Sequence, residues 1–139
     1  MKNKIYEMDP EERRHRVEKL RKILKKEDQI SFAYLYGSFA EELPFHDIDV
    51  GVYAEGIGEQ ETTSYAIRLS ERMSSILGLP VDVRVLNFAP VTFLYHVFRG
   101  ELIHEKNELL RSQVMERTIQ KYLDLRPILY RGMKEAFTP

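Results

Sequence analysis

Residues 34–53 read YLYGSFAEELPFHDIDVGVY. The run opens as a buried strand, breaks at Gly37-Ser38, and closes as a second strand around Ile48, Val50 and Val52. That second strand carries Asp47 and Asp49 among apolar residues. Side chains two apart on a strand share a face, so the two carboxylates should project side by side. Paired anions beside apolar neighbours are costly unless a cation lies between them. A divalent metal meets that need, because Mg2+ takes carboxylate oxygens together with substrate phosphates. The plain alternative is an exposed Asp-x-Asp at a strand end with no ligand.

Elements follow on both sides of this stretch. Upstream, Asp9-Pro10-Glu11-Glu12 has the form of a helix start, with Asp9 as N-cap and Pro10 in the first turn. Val17, Leu20, Ile23 and Leu24 follow at helical spacing, and the helix should end near Lys26. Residues 30–36 form the first strand, rich in aromatic and β-branched residues. The second, 48–53, should pair with it as in a hairpin.

Downstream, residues 59–77 predict a helix with Ala66, Ile67, Leu69, Met73, Ile76 and Leu77 as its apolar stripe. Gly78 and Pro80 stop it. Residues 81–86 alternate Val81, Val83 and Val85 against Asp82, Arg84 and Leu86, which predicts a third strand. Pro90 opens a short helix with Val91, Leu94, Tyr95 and Phe98 on one face, ended by Gly100; residues 101–104 suit a short fourth strand. Residues 107–137 read as one long helix or two. Leu109, Leu110, Val114, Met115, Ile119, Tyr122 and Leu123 make its apolar side, and Pro127 should kink or break it. Helices mixed with a short sheet make an α/β or α+β domain.

Asp82 shares the difficulty of the aspartate pair, because it sits between valines on its own strand. If the third strand lies beside the second, three carboxylates converge. They could hold two metals roughly 3.5–4 Å apart, the spacing used for in-line phosphoryl and nucleotidyl transfer. Gly37-Ser38 is a turn dipeptide in its plainest reading. Placed directly after a strand, it also lets backbone approach a phosphate, with the Ser38 hydroxyl and N–H as donors and a short helix through Phe39 and Ala40.

Bulk properties narrow the classes. The chain has 139 residues, enough for one domain, and 43% hydrophobic residues can build a core. There is no cysteine, hence no disulfide framework and no thiolate metal site. The formal net charge of −1 does not suggest a nucleic-acid binder. The first residues lack the apolar core of a signal peptide, and no apolar run nears the roughly 18 residues of a membrane span. A soluble, cytoplasmic protein is the expectation.

Gly37-Ser38, a short loop, Asp47-Ile48-Asp49 and the later strand aspartate Asp82 resemble the signature of the DNA polymerase beta-like nucleotidyltransferase superfamily. The small size resembles its minimal nucleotidyltransferase (MNT) branch. Val81-Asp82-Val83, Leu86-Asn87-Phe88-Ala89-Pro90, residues 98–103 and Lys121-Tyr122-Leu123-Asp124 are similar too, so the likeness spans roughly residues 15–130. It implies a short mixed β-sheet flanked by helices, with a long C-terminal helical segment. A single domain would occupy 1–139, with its core over about 9–105 and C-terminal helices over about 107–137. Gly37 and Ser38 would hold the triphosphate of ATP. Asp47 and Asp49 would bind Mg2+, and Asp82 would complete the triad and help activate the acceptor hydroxyl.

Members of that branch are commonly paired with HEPN-domain proteins as the antitoxin half of a toxin–antitoxin module. Some transfer AMP from ATP to a tyrosine of the HEPN RNase toxin. Two other functions fit the same residues: an inactive antitoxin acting by contact, and an aminoglycoside-type small-molecule nucleotidyltransferase. In place of the family's Gly-Ser-x-Ala-Arg-Gly pattern the chain has Glu41-Glu42, within a shortened loop over 39–46. Arg84 should share the face of Asp82, either as an ion pair or as a phosphate contact. His46 is most simply a solvated loop histidine, and Tyr122 a packing residue. The apolar C-terminal helix either packs on the domain or offers a face for a HEPN partner or a second copy.

Overall fold

The computed structural model describes residues 4–136. The elements run α1 (Pro10–Lys25), β1 (Ile30–Tyr36), α2 (Gly37–Ala40), β2 (Ile48–Ala54), α3 (Thr62–Leu77), β3 (Val81–Val85), α4 (Val91–Phe98), β4 (Glu101–Glu105) and α5 (Glu108–Ala136). Asp9 caps α1 as its sequence predicts: its Oδ1 accepts the Glu12 N–H at 2.8 Å. A 3-10 turn over Glu59–Glu61 precedes α3, and Gly78 in the left-handed region ends that helix.

The four strands form one mixed sheet in the order β3-β2-β1-β4. β1 pairs antiparallel with β2 and β4, whereas β2 and β3 run parallel. A parallel pair needs a crossover, and α3 supplies it. The register sorts the side chains. Ile48, Val50, Val52 and Ala54 of β2, with Val81 and Val83 of β3, join a cluster with Val17, Leu20, Ile23 and Leu24 of α1 and Leu69, Met73 and Leu77 of α3. Each fully buried leucine or isoleucine here stabilises the fold by about 1.5–3 kcal/mol. On the opposite face, Phe32, Tyr34 and Tyr36 of β1 pack with Leu86, Val97 and Val114, and with Phe93 and Phe98 at the margin.

β3 lies at the edge of the sheet, yet two of its outward N–H groups are occupied. Val81 donates to Ser74 Oγ and Val83 to Ser70 Oγ, both at 2.8 Å. The two serines stand one turn apart on α3, so one face of the helix serves alternate strand residues.

Three expectations change. The stripe of α3 is Tyr65, Leu69, Met73 and Leu77, whereas Ile67 and Ile76 are exposed. A strict four-residue spacing keeps the first set on the sheet and turns the isoleucines off it. The C-terminal segment is one helix of 29 residues that runs through Pro127 without a break. Proline removes a donor there, and the Leu123 carbonyl that loses it lies on an exposed residue where water can replace it. Only Val114 and Thr118 of α5 are buried, while Leu109, Ile119 and Leu123 are exposed. The helix rests on α4 and β1 in its first part only. Phe137, where the sequence suggests an end to this segment, lies outside the described residues. No helix among the described residues is long and apolar enough to cross a membrane.

Candidate active site

The carboxylates sit at one end of the sheet. Asp49 is the second residue of β2, paired with Tyr36 on one side and in parallel register with Asp82 on the other. Paired residues share a face, so Asp49 and Asp82 project toward the side that carries Tyr36 and α4. Asp47 lies in the bend just before β2 rather than on the strand, and its carboxylate reaches the same place. One carboxylate oxygen from each of Asp47, Asp49 and Asp82 lies within 4.8 Å of the others. All three are half-buried.

The electrostatic consequence is concentrated at Asp49. Burial, then the charge and hydrogen bond of Asp47, then Asp82, push its carboxyl up to about 7, against a smaller opposing pull from Arg84. Arg84 contacts Asp82 through Nε at 3.5 Å, with both side chains substantially exposed. It is the strand-edge ion pair of the plainer reading, and its guanidinium also stands 5.7 Å from the Phe93 ring. One peripheral arginine does not balance three carboxylates. Oxygen donors that face one another at this separation, with one resisting ionisation, fit a hard divalent cation.

Gly37 adjoins the triad because β1 ends opposite Asp49. Its φ is +79°, and a Cβ built on it would overlap Asp49 Oδ2. Both facts restrict the position to glycine. Ser38 is exposed at the start of the single-turn α2. The short loop after α2 has its own geometry. Leu43 N–H reaches Ser38 O at 3.0 Å and Glu42 N–H reaches Phe39 O at 3.1 Å, with Glu42 at φ +61°. This is the left-handed helix termination usually made with glycine. Phe45 then pairs with Tyr6 through two backbone hydrogen bonds and packs on Phe39 at 4.9 Å, which carries the chain back to Asp47.

The two glutamates part company in this loop. Glu42 lines a hollow with Met8, Pro10 and Arg13, away from Gly37. Glu41 lines a cavity of about 290 Å3 together with Tyr36, Gly37, His96 and Arg99. His46 is exposed, with Nδ1 3.0 Å from the Lys4 carbonyl. Tyr122 stacks on Tyr95 with ring centroids 3.7 Å apart, a packing role on α5.

Tyr36 does more than pack in the aromatic cluster. Burial, and next the charge of Asp49, push its phenol well above the usual range, so it stands beside the carboxylates as a neutral donor. The i, i+3 spacing of His96 and Arg99 on and just after α4 is the signal that could have brought them forward.

Three carboxylates thus converge beside a glycine turn at one end of the sheet. The chain belongs to the polymerase beta nucleotidyltransferase family, whose model (Polymerase beta, Nucleotidyltransferase) matches residues 18–109. Several solved structures share the polymerase beta-like fold. One is an MNT antitoxin in complex with tri-AMPylated HEPN toxin from Shewanella oneidensis, at 19% identity and TM-score 0.72, covering 91% of this chain and 99% of that one. Another is the MntA–HepT toxin–antitoxin, at 18% identity and TM-score 0.70, covering 90% and 99%. A third is a toxin–antitoxin with AMP-PNP, at 19% identity and TM-score 0.73, covering 88% and 98%. No match is found among curated proteins.

Proposed function

We propose that the chain is a cytoplasmic protein adenylyltransferase that moves AMP from ATP to a tyrosine hydroxyl of a HEPN-domain toxin and so acts as its antitoxin. The convergence of Asp47, Asp49 and Asp82 within 4.8 Å carries the reading. The complexes of similar fold, one with an AMPylated toxin and one with AMP-PNP, support it. In this reading Asp47, Asp49 and Asp82 hold Mg2+, which supplies positive charge against the reacting phosphate. Gly37 and Ser38 offer backbone and hydroxyl donors to the outer phosphates. Asp82, at the open edge of the sheet, orients the acceptor hydroxyl and takes its proton. The tyrosine oxygen bonds to the α-phosphorus, the bond from that phosphorus to the bridging oxygen breaks, and pyrophosphate leaves on the Gly37 side.

Radiolabelled ATP, Mg2+ and the purified HEPN partner test this. Label should pass to the partner, and Asp47→Ala should stop it. A wild-type chain that binds the partner and transfers no label sinks the reading.

One observation favours a second reading, neutralisation by contact. Ile128, Leu129, Tyr130 and Met133 are exposed on α5 beyond the part that packs. A patch of this kind suits a partner helix. If contact suffices, a chain carrying Asp49→Asn still silences the toxin in cells, whereas Ile128→Asp with Met133→Asp does not.

A further inference from the structure

The nucleotide needs positive charge for its outer phosphates, and the loop after Gly37-Ser38 offers Glu41 and Glu42 instead. Other arginines along the sheet are already engaged. Arg84 is held by Asp82 at 3.5 Å. Arg13 pairs with Glu101 at 2.9 Å and donates to the Phe39 and Ala40 carbonyls behind α2. Arg111 pairs with Glu105 at 3.0 Å.

Arg99 differs. It is exposed, its side chain makes no ion pair among the described residues, and it lines the same cavity as Gly37. The backbone puts it there. A Cβ at Gly100 would overlap the Leu35 carbonyl, so the turn after α4 presses against the end of β1 just before Gly37. His96, one turn earlier, lines the same wall and meets the Tyr36 ring edge-on at 5.7 Å.

We infer that Arg99, assisted by His96, grips the β- and γ-phosphates of the nucleotide from the α4 side of the cavity that Gly37 also lines, in place of a basic residue in the loop after Ser38. The inference rests on the nucleotidyltransferase reading and deepens it. A guanidinium fork suits two phosphate oxygens at once, and a neutral or charged imidazole adds a further donor. Glu41 lines this cavity too. Its carboxylate opposes the phosphates and attracts Arg99, so it lowers triphosphate affinity.

Calorimetry of the full chain with Mg2+ and either AMP-PNP or AMP is the test. Arg99→Ala should weaken AMP-PNP about tenfold, as loss of a charge-assisted hydrogen bond does, and AMP by less than about threefold. Arg99→Lys should fall between Arg99→Ala and wild type, because it keeps charge without the fork. Glu41→Gln should tighten AMP-PNP. Equal AMP-PNP affinity in wild type and Arg99→Ala overturns the inference, and so does an equal loss for AMP. In those cases label transfer by wild type leaves the nucleotidyltransferase reading standing. A wild-type chain that binds neither nucleotide overturns both.

Discussion

On one face of the sheet, Ile48, Val50, Val52 and Ala54 of β2 meet α1 and α3 in an aliphatic cluster. On the other, Asp49, Gly51 and Tyr53 of the same strand look toward α4, the first turns of α5 and a set of aromatic rings. The first face is sealed by two long helices. The second is covered by one short helix and part of another, and at the end where α4 gives out it opens onto three carboxylates. One strand thus serves both purposes through its two-residue alternation. The sealed face stabilises the fold, and the open face tolerates charges that a sealed one would reject.

Substitutions can break this division, and the largest effect belongs to the open face. Asp49→Asn should lower nucleotidyl transfer by more than about a hundredfold, since it removes a ligand oxygen charge at the centre of the site. In chelator the same variant should melt higher than wild type, because one of three mutually repelling carboxylates is gone. A lower melting temperature would mean that the triad holds the strands together rather than straining them.

On the sealed face the balance reverses. Met73 is fully buried against the sheet, and Met73→Ala should cost about 2–5 kcal/mol in urea unfolding. Native protein should still bind nucleotide with unchanged affinity. A loss below about 1 kcal/mol would show that this face can collapse onto the gap.

The smallest effect concerns His104, which pairs across from Ala33 on the sealed side. Its Nε2 is buried without a hydrogen-bond partner. Burial lowers its pKa, opposed by a hydrogen bond that the imidazole donates to the Ile30 backbone and aided by the charges of Lys106 and Lys25. A folded pKa below the unfolded value means that the unfolded chain takes up the proton first. The stability contribution is therefore present above the ordinary histidine range and is lost as pH falls through it. His104→Gln should remove that part of the acid sensitivity, a difference of about 1–2 °C in melting temperature between pH 7 and 5. An unchanged pH slope would place the histidine effectively in water.

The sheet was legible because β2 and β3 alternate, β1 is a continuous aromatic and β-branched run, and Gly, Pro and charged residues punctuate them. The triad was legible because the Asp-x-Asp spacing keeps Asp47 and Asp49 close, even though Asp47 stands in the bend before β2, and Asp82 needed only the parallel register. What escaped depended on neighbours. Tyr65 replaces Ile67 on the buried stripe of α3 because the helix meets the sheet along a four-residue row, which apolar content does not reveal. Pro127 carried a local signal for a break, but an exposed helix can hand its freed carbonyl to solvent. Arg99 was hidden for the opposite reason. Its own segment carries only the i, i+3 spacing with His96, and it is the fit of Gly100 against Leu35 that brings it to Gly37.

Ser70 and Ser74 have a consequence for how another chain can approach. Their hydroxyls occupy the outward N–H groups of Val83 and Val81, so the margin of the sheet next to Asp82 has little left to offer an incoming strand. A neighbouring strand therefore finds few free donors on the strand that carries Asp82. Two copies of the chain are thereby hindered from joining their sheets at this margin.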